Sequence, residues 1–135
     1  MTTPSISSIT QNNDGTYTIK WGACTGSNGS GSVTYGVYDD TAGRYLSQSV
    51  SGTSYTGTIP AYGTTRQYSV IAYYSGTSSG WSSIVSKTFY TPSITAPSDL
   101  KVTTATAQTC ALSWTAAKLN YTSGTITYSI RRNGT

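Results

Sequence analysis

The chain has 135 residues, about the length of one ordinary domain, and eight basic residues against four acidic ones give it a net charge of +4. The chain contains no histidine, which excludes the usual Ser-His-Asp and Cys-His catalytic groups and histidine-ligated metal sites. All four acidic residues are aspartates. Charged residues make up only 9% of the chain and are scattered, so we predict no nucleic-acid partner, no enzyme activity, no metal and no cofactor.

The first ten residues, MTTPSISSIT, have neither the basic start nor the apolar run of a signal peptide. No later stretch approaches the ~20 apolar residues that a membrane span needs, so we predict no membrane insertion. We therefore expect a protein that is not exported by the signal-peptide route, unless Met1 was added for expression, which the sequence leaves open.

Short runs rich in Val, Ile, Thr and Tyr follow one another through the first 92 residues, separated by turn signals such as NNDG and SGTSSG. Because residues that favour helices are scarce, this pattern predicts an all-β fold, an antiparallel β-sandwich of about seven strands. The predicted strands lie near Ser5–Thr10, Thr16–Gly22, Val33–Asp39, Arg44–Gln48, Thr53–Ile59, Gln67–Tyr74 and Val85–Phe89.

Alternation along these strands predicts which side chains meet in the core, because successive residues of a strand point to opposite faces. Trp21 belongs to the inward set of the second strand, Tyr35 and Val37 to that of the third, and Tyr68 and Val70 to that of the sixth. We expect these side chains to fill the space between two sheets, with Trp21 as the central large residue.

The chain also repeats itself at an offset of 93 residues, without a gap. The matched pairs are Pro4 and Pro97, Ile9 and Val102, Ile19 and Leu112, Trp21 and Trp114, Tyr35 and Tyr128, and Val37 and Ile130. We therefore predict a complete unit over residues 1–92, a short Pro-containing linker over 93–97, and the first strands of a second unit over 98–135.

The second unit is predicted to end after its third strand, Thr125–Ile130. Trp114 and Tyr128 would be its core residues, on one apolar face with Leu112 and Ile130. Since such a face is costly to leave in water, the 135 residues are expected to be part of a longer chain. The alternatives are that a partner covers the half unit or that strands exchange between copies.

Several residues together carry a family resemblance: Pro4, Trp21, Tyr35, Val37, the Tyr68-x-Val70-x-Ala72 pattern, and Gly80, Ser82 and Ser86 in SGWSSIVSKTF, with Pro97, Trp114 and Tyr128 repeating the first half. With these features the chain resembles the fibronectin type III family over nearly its whole length. The resemblance implies an immunoglobulin-like sandwich, and it implies little about function. One departure is AYGTTRQ before Tyr68, which predicts a lengthened corner loop.

The same alternation predicts an outward-facing patch. If Val37 and Val70 point inward, then Tyr38, Ile71 and Tyr73 point outward, and the resemblance implies that their two strands are neighbours. An exposed apolar patch of this kind can bind protein or stack on sugar rings. The alternative is that the tyrosines only pair across strands.

Asp39 and Asp40 are the only adjacent acidic residues, and their opposite directions in a strand predict a polar turn entry rather than paired-carboxylate catalysis or a Ca²⁺ site. Cys24 and Cys110 occupy different positions in the two units, so we predict no disulfide between them. Cys110 alternates with Leu112 and is predicted to be a small buried core residue.

These features favour a non-enzymatic structural or adhesive module of a larger repeat protein. Our first hypothesis is a phage virion component of the tail or a fibre, which contacts other structural chains in a multi-copy assembly or binds surface carbohydrate. The alternative is a spacer of a secreted bacterial enzyme that degrades polysaccharide, which would be secreted or held at the cell surface. A eukaryotic-type receptor fragment and a designed scaffold are further hypotheses.

Overall fold

The structure is a computed structural model that describes residues 1–120 and 125–134. All regular secondary structure in these ranges consists of β-strands. The structure divides into two compact units, unit 1 (Met1–Thr91) and unit 2 (Pro92–Thr135). Within the described ranges, no helix of a length and apolarity suited to crossing a membrane is found. The all-β prediction is confirmed.

Unit 1 contains eight strands, of which seven correspond to the predicted ones and the two-residue β7 is additional. Their bounds are β1 Ile6–Gln11, β2 Thr16–Trp21, β3 Thr34–Asp39, β4 Arg44–Val50, β5 Ser54–Thr58, β6 Thr64–Tyr74, β7 Thr77–Ser78 and β8 Val85–Phe89. One sheet has the order β1-β2-β5, and the other has the order β4-β3-β6-β7 with β8 also paired to β6. All pairs are antiparallel.

The core of unit 1 lies between these two sheets, which makes the unit a β-sandwich. The five core residues predicted for this unit are all buried, with Val37, Tyr68 and Val70 at 0% exposure. Phe89 at the end of β8 is also fully buried, and its ring centroid lies 5.2 Å from that of Tyr17. Period-two alternation in the strands therefore placed the core correctly.

The prediction of a longer corner loop before Tyr68 is wrong. Residues Thr64 to Gln67 pair in register with β8, from Thr64 opposite Phe89 to Gln67 opposite Ser86. The extra residues therefore lengthen β6 to eleven residues instead of lengthening the loop, because the backbone groups of β8 offer them hydrogen-bond partners.

An ion pair between buried Asp39 and partly exposed Arg66 closes the end of β3. Asp39 is only 2% exposed, its Oδ1 accepts a hydrogen bond from the Ala42 amide at 2.9 Å, and its Oδ2 binds the Arg66 guanidinium. The hydrogen bond to Asp39 raises the pKa of Arg66, so the guanidinium remains charged. Asp39 thus enters the turn over residues 40–43, as the sequence predicted, and it is in addition a buried, partnered group.

The described residues of unit 2 include two strands, β9 (Ser98–Ala105) and β10 (Cys110–Thr115), and they repeat the first hairpin of unit 1. Val102 pairs with Leu112 in unit 2, as Ile9 pairs with Ile19 in unit 1. Both pairs keep the sequence offset of 93 residues. The internal repeat is therefore present in the register of this pair as well as in sequence, although a register shift between Ala111 and Leu112 makes the pairs beyond it differ from those of unit 1.

The repeat extends to individual hydrogen bonds. The Tyr35 hydroxyl accepts a bond from the Cys24 amide at 2.8 Å, and the Tyr128 hydroxyl accepts one from the Ala117 amide at 3.0 Å. Each tyrosine and each amide is 93 residues from its counterpart. The same local packing is thus formed twice.

Two predictions for unit 2 need correction. Residues 125–130 form no strand in the structure, although the alternation predicted one. Residues 93–97 are the first segment of unit 2 rather than a separate linker, because Thr95 exchanges backbone and side-chain hydrogen bonds with Lys118. Thr2 bonds Thr25 in the same way in unit 1, again 93 residues earlier.

Candidate functional site

Three aromatic rings meet on the outer face of the larger sheet of unit 1, opposite the core. The centroid of Tyr38 lies 5.1 Å from that of Tyr45 and 5.4 Å from that of Trp81, and the last two are 5.8 Å apart. We call Tyr38, Tyr45 and Trp81 the aromatic cluster. Trp81 is 44% exposed, so part of the cluster is open to solvent.

Strand register explains how the cluster forms. Tyr38 lies between the buried residues Val37 and Asp39, so its side chain points away from the core, and it is paired with Tyr45 on β4 and with Ser69 on β6. Ser69 is buried and small, which leaves room for the Trp81 ring beside Tyr38.

Trp81 lies in the irregular segment between β7 and β8, and its neighbour Ser82 holds this segment against β6. The Ser82 amide donates to the Val70 carbonyl at 2.8 Å, and the Ser82 hydroxyl accepts from the Val70 amide at 2.9 Å. Ser82 is 6% exposed. This two-point attachment positions the tryptophan without a regular strand.

Tyr73 extends the cluster through a hydrogen bond of 3.2 Å between its hydroxyl and that of Tyr45. Gly36 lies beneath the two rings, and a β-carbon there would come within 3.1 Å of each ring and 3.0 Å of Ile71 Cγ2. The glycine therefore lets three side chains meet above the backbone of β3. Burial and the hydrogen bond shared with the Tyr45 hydroxyl raise the pKa of Tyr73 to about 12.

The predicted patch is only partly right. Tyr38 and Tyr73 do lie on the outer face, where each is half-buried, but Ile71 is 7% exposed and cannot contribute to an exposed surface. It is enclosed because the rings of Tyr45 and Tyr73 approach it above Gly36. The Tyr38–Tyr45 contact also shows the cross-strand pairing that was the alternative interpretation.

Tyr45 and Trp81 belong to the candidate site but were not predicted from the sequence. Tyr45 could have been found from strand pairing, since a hairpin joins its strand to that of Tyr38. Trp81 gave one weaker signal, a large aromatic residue in a Gly- and Ser-rich segment that has no core periodicity.

A cleft of about 540 Å³ opens beside the aromatic cluster, lined additionally by Asp40, Ser69, Ser82 and Ile84. Asp40 is the one charged residue in its lining, and its Oδ2 has no hydrogen-bond partner within the part of the chain that the structure describes. Ile84 is 55% exposed. The cleft thus combines aromatic rings, an aliphatic side chain and a carboxylate whose unpartnered oxygen is enclosed.

The titration of the buried tyrosines gives an alkaline test of this packing. A phenol whose pKa is higher in the folded than in the unfolded state stabilises the folded state. This stabilisation is complete below the unfolded-state pKa, near 10, and it is lost as the pH rises through the folded-state pKa. Burial also raises the pKa of Tyr17 and of Tyr68. We expect the free energy of unfolding, from urea denaturation, to fall between pH 10 and pH 12, and Tyr73→Phe to reduce this fall. An equal fall in Tyr73→Phe and in the exposed control Tyr62→Phe would contradict the assignment.

A second candidate surface is the apolar face of unit 2, which we define as Leu112, Trp114, Tyr128 and Ile130. The rings of Trp114 and Tyr128 have centroids 5.2 Å apart, and a cavity of about 220 Å³ opens on this face. Tyr128 is 38% exposed and Ile130 66%, so the prediction of Tyr128 as a core residue is not met. Trp114 is half-buried.

The equivalent face of unit 1 is covered. Trp21 and Tyr35 have ring centroids 5.4 Å apart, nearly the same pairing, but they are only 4% and 3% exposed. They belong to one buried cluster with Tyr68 and Val70 of β6 and Phe89 of β8. Among residues 92–120 and 125–134, unit 2 has no strands equivalent to β6 and β8.

Other chemistry in the described residues is limited. Residues 1–120 and 125–134 contain no group of three or more His, Cys, Asp or Glu side chains placed to hold a metal ion. Both cysteines are free; Cys24 is buried, whereas Cys110 is exposed, so the prediction that Cys110 is buried is wrong. Cys110 is exposed because it begins β10, and few other residues cover the two-stranded sheet to which β10 belongs.

Comparison of the chain with protein-family models, with curated proteins and with solved structures gave no match.

Proposed function

We propose that the chain is a non-enzymatic structural and adhesive module of a larger repeat protein, built from units of the fibronectin type III kind. Our first hypothesis for its source is a phage virion, in the tail or a fibre, where many copies contact other structural chains. The repetition of strand register and of the Tyr35 and Tyr128 hydrogen bonds at one offset supports a tandem array.

The observation that carries the assembly role is the apolar face of unit 2. Its residues correspond one by one to Ile19, Trp21, Tyr35 and Val37, which are buried in unit 1. Removing apolar surface from water is worth about 25 cal/mol per Å², so a contiguous face of this kind favours contact with another protein surface. We take this face to be the assembly surface, covered by another structural chain; further strands of the same repeat are the alternative cover.

Sedimentation velocity of the full chain at increasing concentration tests the proposal. We expect concentration-dependent association, and we expect Ile130→Asp to abolish it, because a carboxylate would have to be buried without a partner. Ile94→Asp is the matched control, since Ile94 is also an exposed isoleucine of unit 2, at 57%, and does not line the cavity on the apolar face. It should associate like the unaltered chain.

A chain that stays monomeric at every concentration would overturn the assembly role. That result would favour the alternative function, a spacer of a secreted bacterial enzyme that degrades polysaccharide, which needs no partner of its own. Equal association of the two aspartate variants would show that the contact lies elsewhere.

A further inference from the structure

We infer that the cleft beside Trp81 binds the ring of a neutral hexopyranose sugar. This inference rests on the adhesive part of the proposed function and names the class of ligand. It uses a surface of unit 1, whereas the assembly role uses the apolar face of unit 2, so the two can fail separately.

The packing of the aromatic cluster decides which ligand shape fits. Its three centroids are 5.1 to 5.8 Å apart and the ring planes are inclined to one another by 35° to 79°, so the rings touch and leave no gap for a ligand between them. An aromatic cage for a quaternary ammonium ion needs rings that stand apart around the ion. The exposed part of Trp81 instead suits a ligand with an apolar face that stacks on one ring, such as the C–H face of a pyranose.

The exposure of Trp81 supports a ligand-binding role. A tryptophan that served only to cover the neighbouring tyrosines would be largely buried, yet 44% of this residue remains in contact with solvent. The segment that carries it is fixed to β6 by the two Ser82 hydrogen bonds, so the ring is held in place before a ligand arrives.

The polar group of the cleft matches sugar hydroxyls. A carboxylate only accepts hydrogen bonds, and the hydroxyl groups around a pyranose ring can donate them. Asp40 is the carboxylate in the cleft lining, but its unpartnered Oδ2 is enclosed, so a sugar hydroxyl reaches this acceptor only when the side chain turns toward the cleft. Because Asp40 is the one charged residue lining the cleft, its negative charge disfavours uronic and sialic acids. A volume of about 540 Å³ falls in the range of small-molecule sites.

Affinity electrophoresis of the full chain tests the inference, in native gels that contain soluble neutral glucan, mannan or galactan. We expect retardation by at least one of these polymers, and at least tenfold weaker binding for Trp81→Ala. Tyr62→Ala is the control, because Tyr62 is an aromatic residue of unit 1 that is 41% exposed and does not line the cleft. It should bind like the unaltered chain.

Two further variants keep the test decisive if Trp81→Ala does not fold. Trp81→Phe retains an aromatic face and should keep part of the binding, whereas Ile84→Arg places a bulky charge at the exposed wall of the cleft and should abolish it. No retardation by any of the three polymers, or unchanged binding by Trp81→Ala or Ile84→Arg, would overturn the inference. Ile130→Asp should bind the sugar normally, which separates this result from the assembly test.

Discussion

Trp21→Ala is expected to lower the free energy of unfolding of unit 1 by about 3–5 kcal/mol, the usual cost of removing a large aromatic side chain from a core. Trp21 is 4% exposed and packs against Tyr35 between the two sheets. The equivalent substitution Trp114→Ala should cost much less, because Trp114 is half-buried on an uncovered face. Urea denaturation of the full chain, followed by circular dichroism, measures both effects.

Trp21→Phe provides a control for this comparison. The Trp21 Nε1 atom is buried without a hydrogen-bond partner in the described residues, so phenylalanine keeps an aromatic ring and removes an unpaired polar group. We expect Trp21→Phe to cost far less than Trp21→Ala. Similar losses for Trp21→Ala and Trp114→Ala would mean that the apolar face of unit 2 is covered in solution.

Arg66→Met is expected to destabilise unit 1 by about 3–5 kcal/mol, because it leaves the Asp39 carboxylate buried without its counter-charge. The side chain of Asp39 is 3% exposed, whereas that of Arg66 is 20% exposed and can turn toward water when it loses its partner. Asp39→Asn should therefore cost less, since the new amide oxygen can still accept the bond from the Ala42 amide.

The double variant Asp39→Asn with Arg66→Met completes a double-mutant cycle, measured by urea denaturation at pH 7. Because the double variant has no buried charge, it should regain most of the free energy of unfolding that Arg66→Met alone loses. If the two single losses simply add, the ion pair makes no coupled contribution, and the buried position of Asp39 would need another explanation.

The strands and core of unit 1 could be predicted because their signal is local. Trp21, Tyr35 and Val70 alternate with residues that point outward. In a strand with one buried face, this alternation determines which side chains point into the core. The same rule assigned Ile71 to the outer face correctly but could not tell that it is buried there. That depends on Gly36, which lets neighbouring rings close over it.

The start of β6 shows a similar limit. Thr64 and Gln67 lie in a stretch without apolar alternation, and their strand conformation depends on pairing with β8, about twenty residues away. Residues 125–130 of unit 2 show the opposite case, because they have the alternation of apolar and polar residues typical of a strand but do not form a strand. Alternation therefore indicates a preference that pairing with a neighbouring strand must complete.

By itself, the order of amino acids determined the all-β character, the core of unit 1 and the duplication at 93 residues, because each follows from a pattern along the chain. Only the tertiary structure decided that Tyr45, Trp81 and Asp40 meet at one cleft and that the apolar face of unit 2 is open while its counterpart is closed. These features depend on which distant segments are brought together, and exposure is a property of that arrangement rather than of any one residue.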